Sequence, residues 1–412
     1  MRKSFIFLLM VFVCLLGSSV APAQDQTALK IIQREPTTEP LTSFSSTAKV
    51  LSPAEVADEI ASARQLLSAH SISNDMVTLA ALDGSAQIQI FSLPKNRFLM
   101  KDADLLGTTQ LGRTVRVHIV RANGVNTAAI VSDAANNQTL VPLLVQFPTS
   151  TEMAFYTSAH PALLSPSITE AGKTYVRTML DQAAASLAHE GVVIPADIVE
   201  VAEHLCIVEH TDHKRFLNED HSVLFPEILS LYALNQGTTY RYSVSSAGAG
   251  GMIQMIPRTY AGIRGQHPNV PLEADFVKGM RDHSNALKAM LLYMNDTWTG
   301  LAGNPEVQDA LRVGVATKPE LLAAGYNSNP MRLPVYLKNG GTAWRSMIPA
   351  ETQIYLSIYK SIDDTIRLAP ASAIAANTST PVAKPRIAAG IISWLDNALL
   401  NNRAIQRMFL FA

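Results

Sequence analysis

Two stretches of this sequence hold residues whose types and spacing point to chemistry. The first, "VSSAGAGGMIQMIPRTY" at residues 244–260, sets Gly248, Gly250 and Gly251 ahead of Met252, Gln254 and Pro257. Glycines let a ligand lie against the backbone or let the chain take positive φ. The second, "PADIVEVAEHLCIVEH" at residues 195–210, carries a carboxyl on an apolar face. Its stripe is Ile198, Val201, Ala202, Leu205 and Val208, and Glu209, four residues after Leu205, falls on the core-facing side. The negative end of a helix raises a carboxyl pKa by roughly half a unit, and burial raises it further. A carboxyl that keeps its proton near neutral pH is suited to general acid catalysis. Glu227 follows Pro226 and is expected in the first turn of its helix, where the dipole favours the ionised form.

Other residues near Glu209 read more plainly. Histidines 204, 210, 213 and 221 crowd it, but the HExxH spacing and a cysteine cluster are both absent, so neither metal nor cofactor is expected. Cys206 reads as a small buried hydrophobe. Tyr240 and Tyr242 serve equally as sugar-stacking rings or as strand residues.

The elements that must position these groups follow from periodicity. Arg2 and Lys3, an apolar run and "APA" at residues 21–23 form a secretory signal pattern, which predicts an exported protein of the periplasm or cell envelope beginning at Gln24. Residues 24–50 read as a disordered tether and residues 51–75 as a helix capped by Ser52, with Val56, Ile60, Ala63 and Leu67 on one face. Residues 76–148 alternate with period two, and Asn123-Gly124 signals a two-residue hairpin, so a small β module is expected. Helical patterns then recur at 167–190, 196–210, 224–235, 273–298, 305–315, 319–324 and 350–362. The implied fold class is α+β, with a mainly helical domain over residues 160–368 behind the β module. A linker at 369–386 and an amphipathic tail at 387–412 complete the chain. Without residues 1–23 the formal charge moves from −1 to −3, because two lysine and arginine charges and no acid are lost; nothing points to nucleic acid. The mature chain would keep one cysteine and thus no internal disulfide, and no later apolar run is long enough to span a bilayer.

Within the helical region the glycine-rich stretch resembles the signature of soluble lytic transglycosylases, relatives of goose-type lysozyme. The matching residues are Ser245, Gly248, Ala249, Gly251, Met252, Gln254, Pro257 and Thr259. Three further boxes follow in the family's order, and the resemblance as a whole covers roughly residues 194–362. "DHSNALKAMLLYM" supplies Asn285, "AAGYNSNPMRLPVY" supplies Tyr326 and Asn327, and "PAETQIYL" supplies Glu351, Thr352 and Tyr355. The resemblance implies a lysozyme-like catalytic domain with a groove for peptidoglycan glycan strands. It implies cleavage of the MurNAc-β-1,4-GlcNAc bond without water, one glutamate acting as acid and then base while the C6 hydroxyl closes a 1,6-anhydro ring. Ser245, Gly248, Ala249, Gly251, Met252, Gln254, Tyr326 and Asn327 would line the sugar site, and Asn285, Glu351, Thr352 and Tyr355 would support it.

The sequence departs from the family at the acid. Counting back from Ser245 without gaps places Gln236 where the glutamate stands, and an amide cannot donate a proton at neutral pH. Glu209 is the expected acid if an insertion intervenes; Glu227, or an inactive site with Gln236, stays open. Three functions therefore stand: a lytic transglycosylase, a catalytically inactive peptidoglycan-binding or envelope scaffold protein, and a hydrolytic lysozyme. The β module is free to bind an envelope protein partner.

Overall fold

A computed structural model describes residues 51–150, 152–237 and 248–368. The signal pattern, the tether, the linker, the tail, Tyr240, Tyr242 and Ser245 lie outside the described residues. The described residues belong to one compact unit, within which a sheet and a helical region are built side by side.

Helix α1 (Pro53–Ser68) opens the described chain. Ser52 accepts from the Glu55 amide while Glu55 reaches back to the Ser52 amide, which satisfies two of the amides a helix start leaves open. The helix is shorter than the span expected from sequence, because residues 71–75 turn towards the first strand. Strands β1 (Met76–Leu82) and β2 (Ile88–Pro94), the short helix α2 (Lys95–Phe98), and strands β3 (Asp104–Thr108), β4 (Thr114–Arg121), β5 (Ala128–Asp133), β6 (Thr139–Pro148) and β7 (Met153–Tyr156) follow. They pair antiparallel in the order β2-β1-β6-β5-β4-β3, with β7 also on β6. Alternation puts Val115, Val117 and Ile119 inside with Leu79, Phe91 and Val145, while Ala80, Ile90 and Leu143 pack outward against Ala63 and Leu67 of α1. The hairpin expected at Asn123-Gly124 is instead a longer connection: Gly124–Asn126 forms a 3-10 turn, and Thr127 bonds back to Asn123 and Gly124. Val125 and Asn126 are buried there, so tertiary packing replaces the tight turn.

The helical region comprises α3 (Pro166–His189), α4 (Ala196–Val208), α5 (His213–Asn218), α6 (His221–Leu234), α7 (Pro257–Gln266), α8 (Phe276–Arg281), α9 (His283–Ala302), α10 (Pro305–Arg312), α11 (Lys318–Asn327), α12 (Leu333–Gly340) and α13 (Ala350–Thr365). The pattern at 273–298 breaks into two helices because Asp282 ends α8 and caps α9 through the Ser284 and Asn285 amides. One large core joins α3, α4, α6, α9, α11 and α13, with Trp344 fully buried. Gly172 on α3 makes this packing possible, since a Cβ there would lie 1.9 Å from the Leu229 carbonyl of α6. No described helix is long and apolar enough to cross a membrane.

Candidate functional site

Glu209 is the C-cap of α4. The stripe read from sequence is buried in full, together with Val199, Cys206 and Ile207, so the last turn of α4 is enclosed on most sides. Glu209 itself is partly exposed as a residue. Its Oε1 accepts a 2.6 Å hydrogen bond from the Tyr355 hydroxyl on α13. Burial pushes the Glu209 carboxyl up to about 8, the Tyr355 bond opposes this, and the negative charge of Glu351 adds to it. The group therefore carries its proton at neutral pH. The expected direction holds, with burial as its leading cause.

Glu227 has the opposite electrostatics for a reason the sequence did not suggest. It sits inside α6 rather than in the first turn, because Asp220 caps that helix and Pro226 lies within it. Glu227 is 7% exposed, and its carboxylate meets two guanidinium groups, Arg215 of α5 at 2.9 Å and Arg121 at the end of β4. Burial alone would raise its pKa; the two arginines outweigh burial and hold it below the ordinary value. Gln236 is exposed just beyond α6.

Residues 248–256 of the glycine-rich stretch form a turn, and α7 begins at Pro257. The Gly250 amide bonds to the Met255 carbonyl, while Gly248, Gly251 and Gln254 all have positive φ. At Gly251 the constraint is severe: φ is +71° and a Cβ would lie 2.3 Å from the Met280 carbonyl. The Gln254 side chain closes its own turn, donating to the Gly251 carbonyl at 2.8 Å. Met252 and Ala249 are buried.

Side chains from other elements hold this turn beside Glu209. His210 Nε2 lies 2.9 Å from the Met252 carbonyl, which can only accept, so Nε2 carries the proton. The Tyr232 hydroxyl lies 2.6 Å from the Cys206 carbonyl and 3.3 Å from that of Met252. The Tyr326 hydroxyl donates to the Ile253 carbonyl at 2.8 Å. Burial, with the Glu209 charge adding to it, raises both Tyr326 and Tyr355 well above the ordinary tyrosine value. Asn327 Oδ1 accepts from Thr352 at 2.8 Å, tying α11 to α13. Asn285 lies further along, accepting from the Glu273 amide and donating to Tyr260 and the Gly279 carbonyl. Residues from three of the four sequence boxes thus meet around Glu209 and the turn, and Asn285 braces the region behind it.

The remaining histidines disperse. His204 bonds Asp363 and the Glu200 carbonyl, and His221 bonds the Phe216 carbonyl while stacking on that ring. Among the described residues no group of three or more His, Cys, Asp or Glu is placed to hold a metal ion. Burial pushes the Cys206 thiol far above its ordinary value, leaving it unreactive. Sequence reasoning missed Tyr232 and Arg121. Neither stands in a recognisable motif, and both act through contacts distant in sequence.

Compared with known proteins, the chain matches no family model, no curated protein and no solved structure.

Proposed function

We propose that this chain is an exported peptidoglycan lytic transglycosylase of the periplasm or cell envelope, with a lysozyme-like domain built from the helical region. The reading is carried by one observation: a carboxyl held up to about 8 meets Tyr355 and stands beside a glycine turn whose carbonyls are already engaged by Tyr326 and His210. A protonated Glu209 donates its proton to the glycosidic oxygen, the C1–O bond breaks, and charge develops at C1. The resulting carboxylate is a comparatively strong base because burial disfavours its charge. It removes the C6 hydroxyl proton as O6 bonds to C1, giving a 1,6-anhydro end and restoring the protonated acid. One carboxyl suffices because no water is activated. Gly248, the exposed residue of the turn, offers backbone to the acetamido sugar, and Glu351 reinforces the acid without touching the bond that breaks.

Mass spectrometry of muropeptides released from purified sacculi tests the reading. Wild type releases anhydro ends, and Glu209→Gln lowers release by about two to four orders of magnitude while sacculus binding persists. Reducing ends would assign a hydrolytic lysozyme. Binding with no release would assign a peptidoglycan-binding or scaffold protein, the reading that Gln236 favours; the sheet would then be the natural face for an envelope protein partner.

A further inference from the structure

Helix α6 touches both halves of the folded unit, and consecutive residues on it face different cores. Leu231 is buried in the sheet core, while Tyr232 is buried in the helical core. Three contacts fasten α6 to the sheet side. Glu227 pairs with Arg121 of β4, Leu231 packs among the strand residues, and Asn235 exchanges two hydrogen bonds with the Thr157 backbone just beyond β7, at 2.9 and 2.8 Å. On the other side Tyr232 reaches the carbonyl of Cys206, one turn before Glu209, and the carbonyl of Met252 in the glycine turn. The hydroxyl has one proton, so it bonds chiefly to Cys206 and sets the approach of Met252, which His210 also holds.

We propose that α6 is a strut through which the sheet sets the separation of the Glu209 helix end from the glycine turn, with Tyr232 as its positioning residue. The sheet is then part of the machinery that encloses the acid, and anything docking on the sheet acts on the site along α6. Any effect of this strut on glycan cleavage rests on the reading of Glu209 as the proton donor; the geometric claim does not.

The test reads the enclosure of the acid directly, without turnover. In the full chain carrying 13C at the glutamate carboxyls, the Glu209 signal is assigned by its loss in Glu209→Gln and titrated by NMR. Wild type titrates at about 8. In Tyr232→Phe, which keeps the ring, water reaches the carboxyl and the midpoint falls by about one pH unit, a tenfold gain in acidity. Arg121→Met lowers it in the same direction by less, and the double variant adds little beyond Tyr232→Phe, as two changes on one path must. Arg345→Met, which removes one of the two cations paired with Glu320, leaves the midpoint unchanged. An unchanged midpoint in folded Tyr232→Phe overturns the positioning role. An unchanged midpoint in Arg121→Met overturns the connection to the sheet, and an equal fall in Arg345→Met reduces the effect to general loosening. If Tyr232→Phe does not fold, Arg121→Met carries the test alone. Failure of glycan cleavage would appear only in the muropeptide assay, so the two readings stand or fall separately.

Discussion

Replacing Glu209 by glutamine should make the protein more stable at neutral pH, and the gain should vanish in acid. In the unfolded chain this carboxyl titrates at its ordinary value of 4.5, and in the folded chain at about 8. Between those values the folded state binds more protons than the unfolded state, so stability falls as pH rises through the window. Below 4.5 the contribution is fully present, and above 8 it is lost. Each pH unit is worth about 1.4 kcal/mol, so the loss is about 3 kcal/mol at pH 7 and approaches about 5 kcal/mol above pH 8. Glutamine has no proton to lose, and its amide oxygen still accepts from Tyr355. Thermal or urea unfolding of both proteins from pH 4.5 to 9 should give nearly equal stabilities in acid and an advantage to the variant that grows steadily with pH. A functional acid kept protonated at the expense of stability is a recurring trade at active sites. A difference that is flat with pH, or a variant less stable at pH 7, would refute the claim that burial controls this carboxyl.

Three further outcomes are expected. Gly251→Ala should cost more than about 2 kcal/mol in denaturant unfolding, since it adds a backbone clash with Met280 to the positive φ; Gly248→Ala, whose Cβ meets only Pro257 at 4.0 Å, should cost about 1 kcal/mol. Tyr326→Phe should slow anhydro-muropeptide release while lowering stability by only about 0.5–1.5 kcal/mol, the worth of its bond to the Ile253 carbonyl; unchanged release would make it a packing residue. Glu227→Gln leaves two partly buried arginines facing a neutral amide and should cost about 3 kcal/mol at pH 7. Because its folded pKa is depressed, that cost should shrink as pH falls through the folded value below 4.5. Urea unfolding at pH 7 and pH 3 checks the sign.

Local patterns were enough to determine much of this protein. Ser52 and Glu55 announce α1 because a capping box acts within four residues, and the alternation of Val115, Val117 and Ile119 announces β4 because strand period is a property of one segment. Glu209 could be set on the buried face of α4 by the same logic, since helical spacing alone orients its side chain. Only the tertiary structure decided what depends on contacts far apart in the chain. The Asn123-Gly124 signal yielded to the burial of Val125 and Asn126, and Glu227 took its charge state from Arg215 and from Arg121, the latter 106 residues away, rather than from its place in a helix. Tyr355 reaches Glu209 across 146 residues. A carboxyl's environment is the sum of what surrounds it in space, whereas a sequence orders only what surrounds it along the chain. The helix face of Glu209 was therefore legible, and the tyrosine bond to it, the ion pairs of Glu227 and the proposed strut were not.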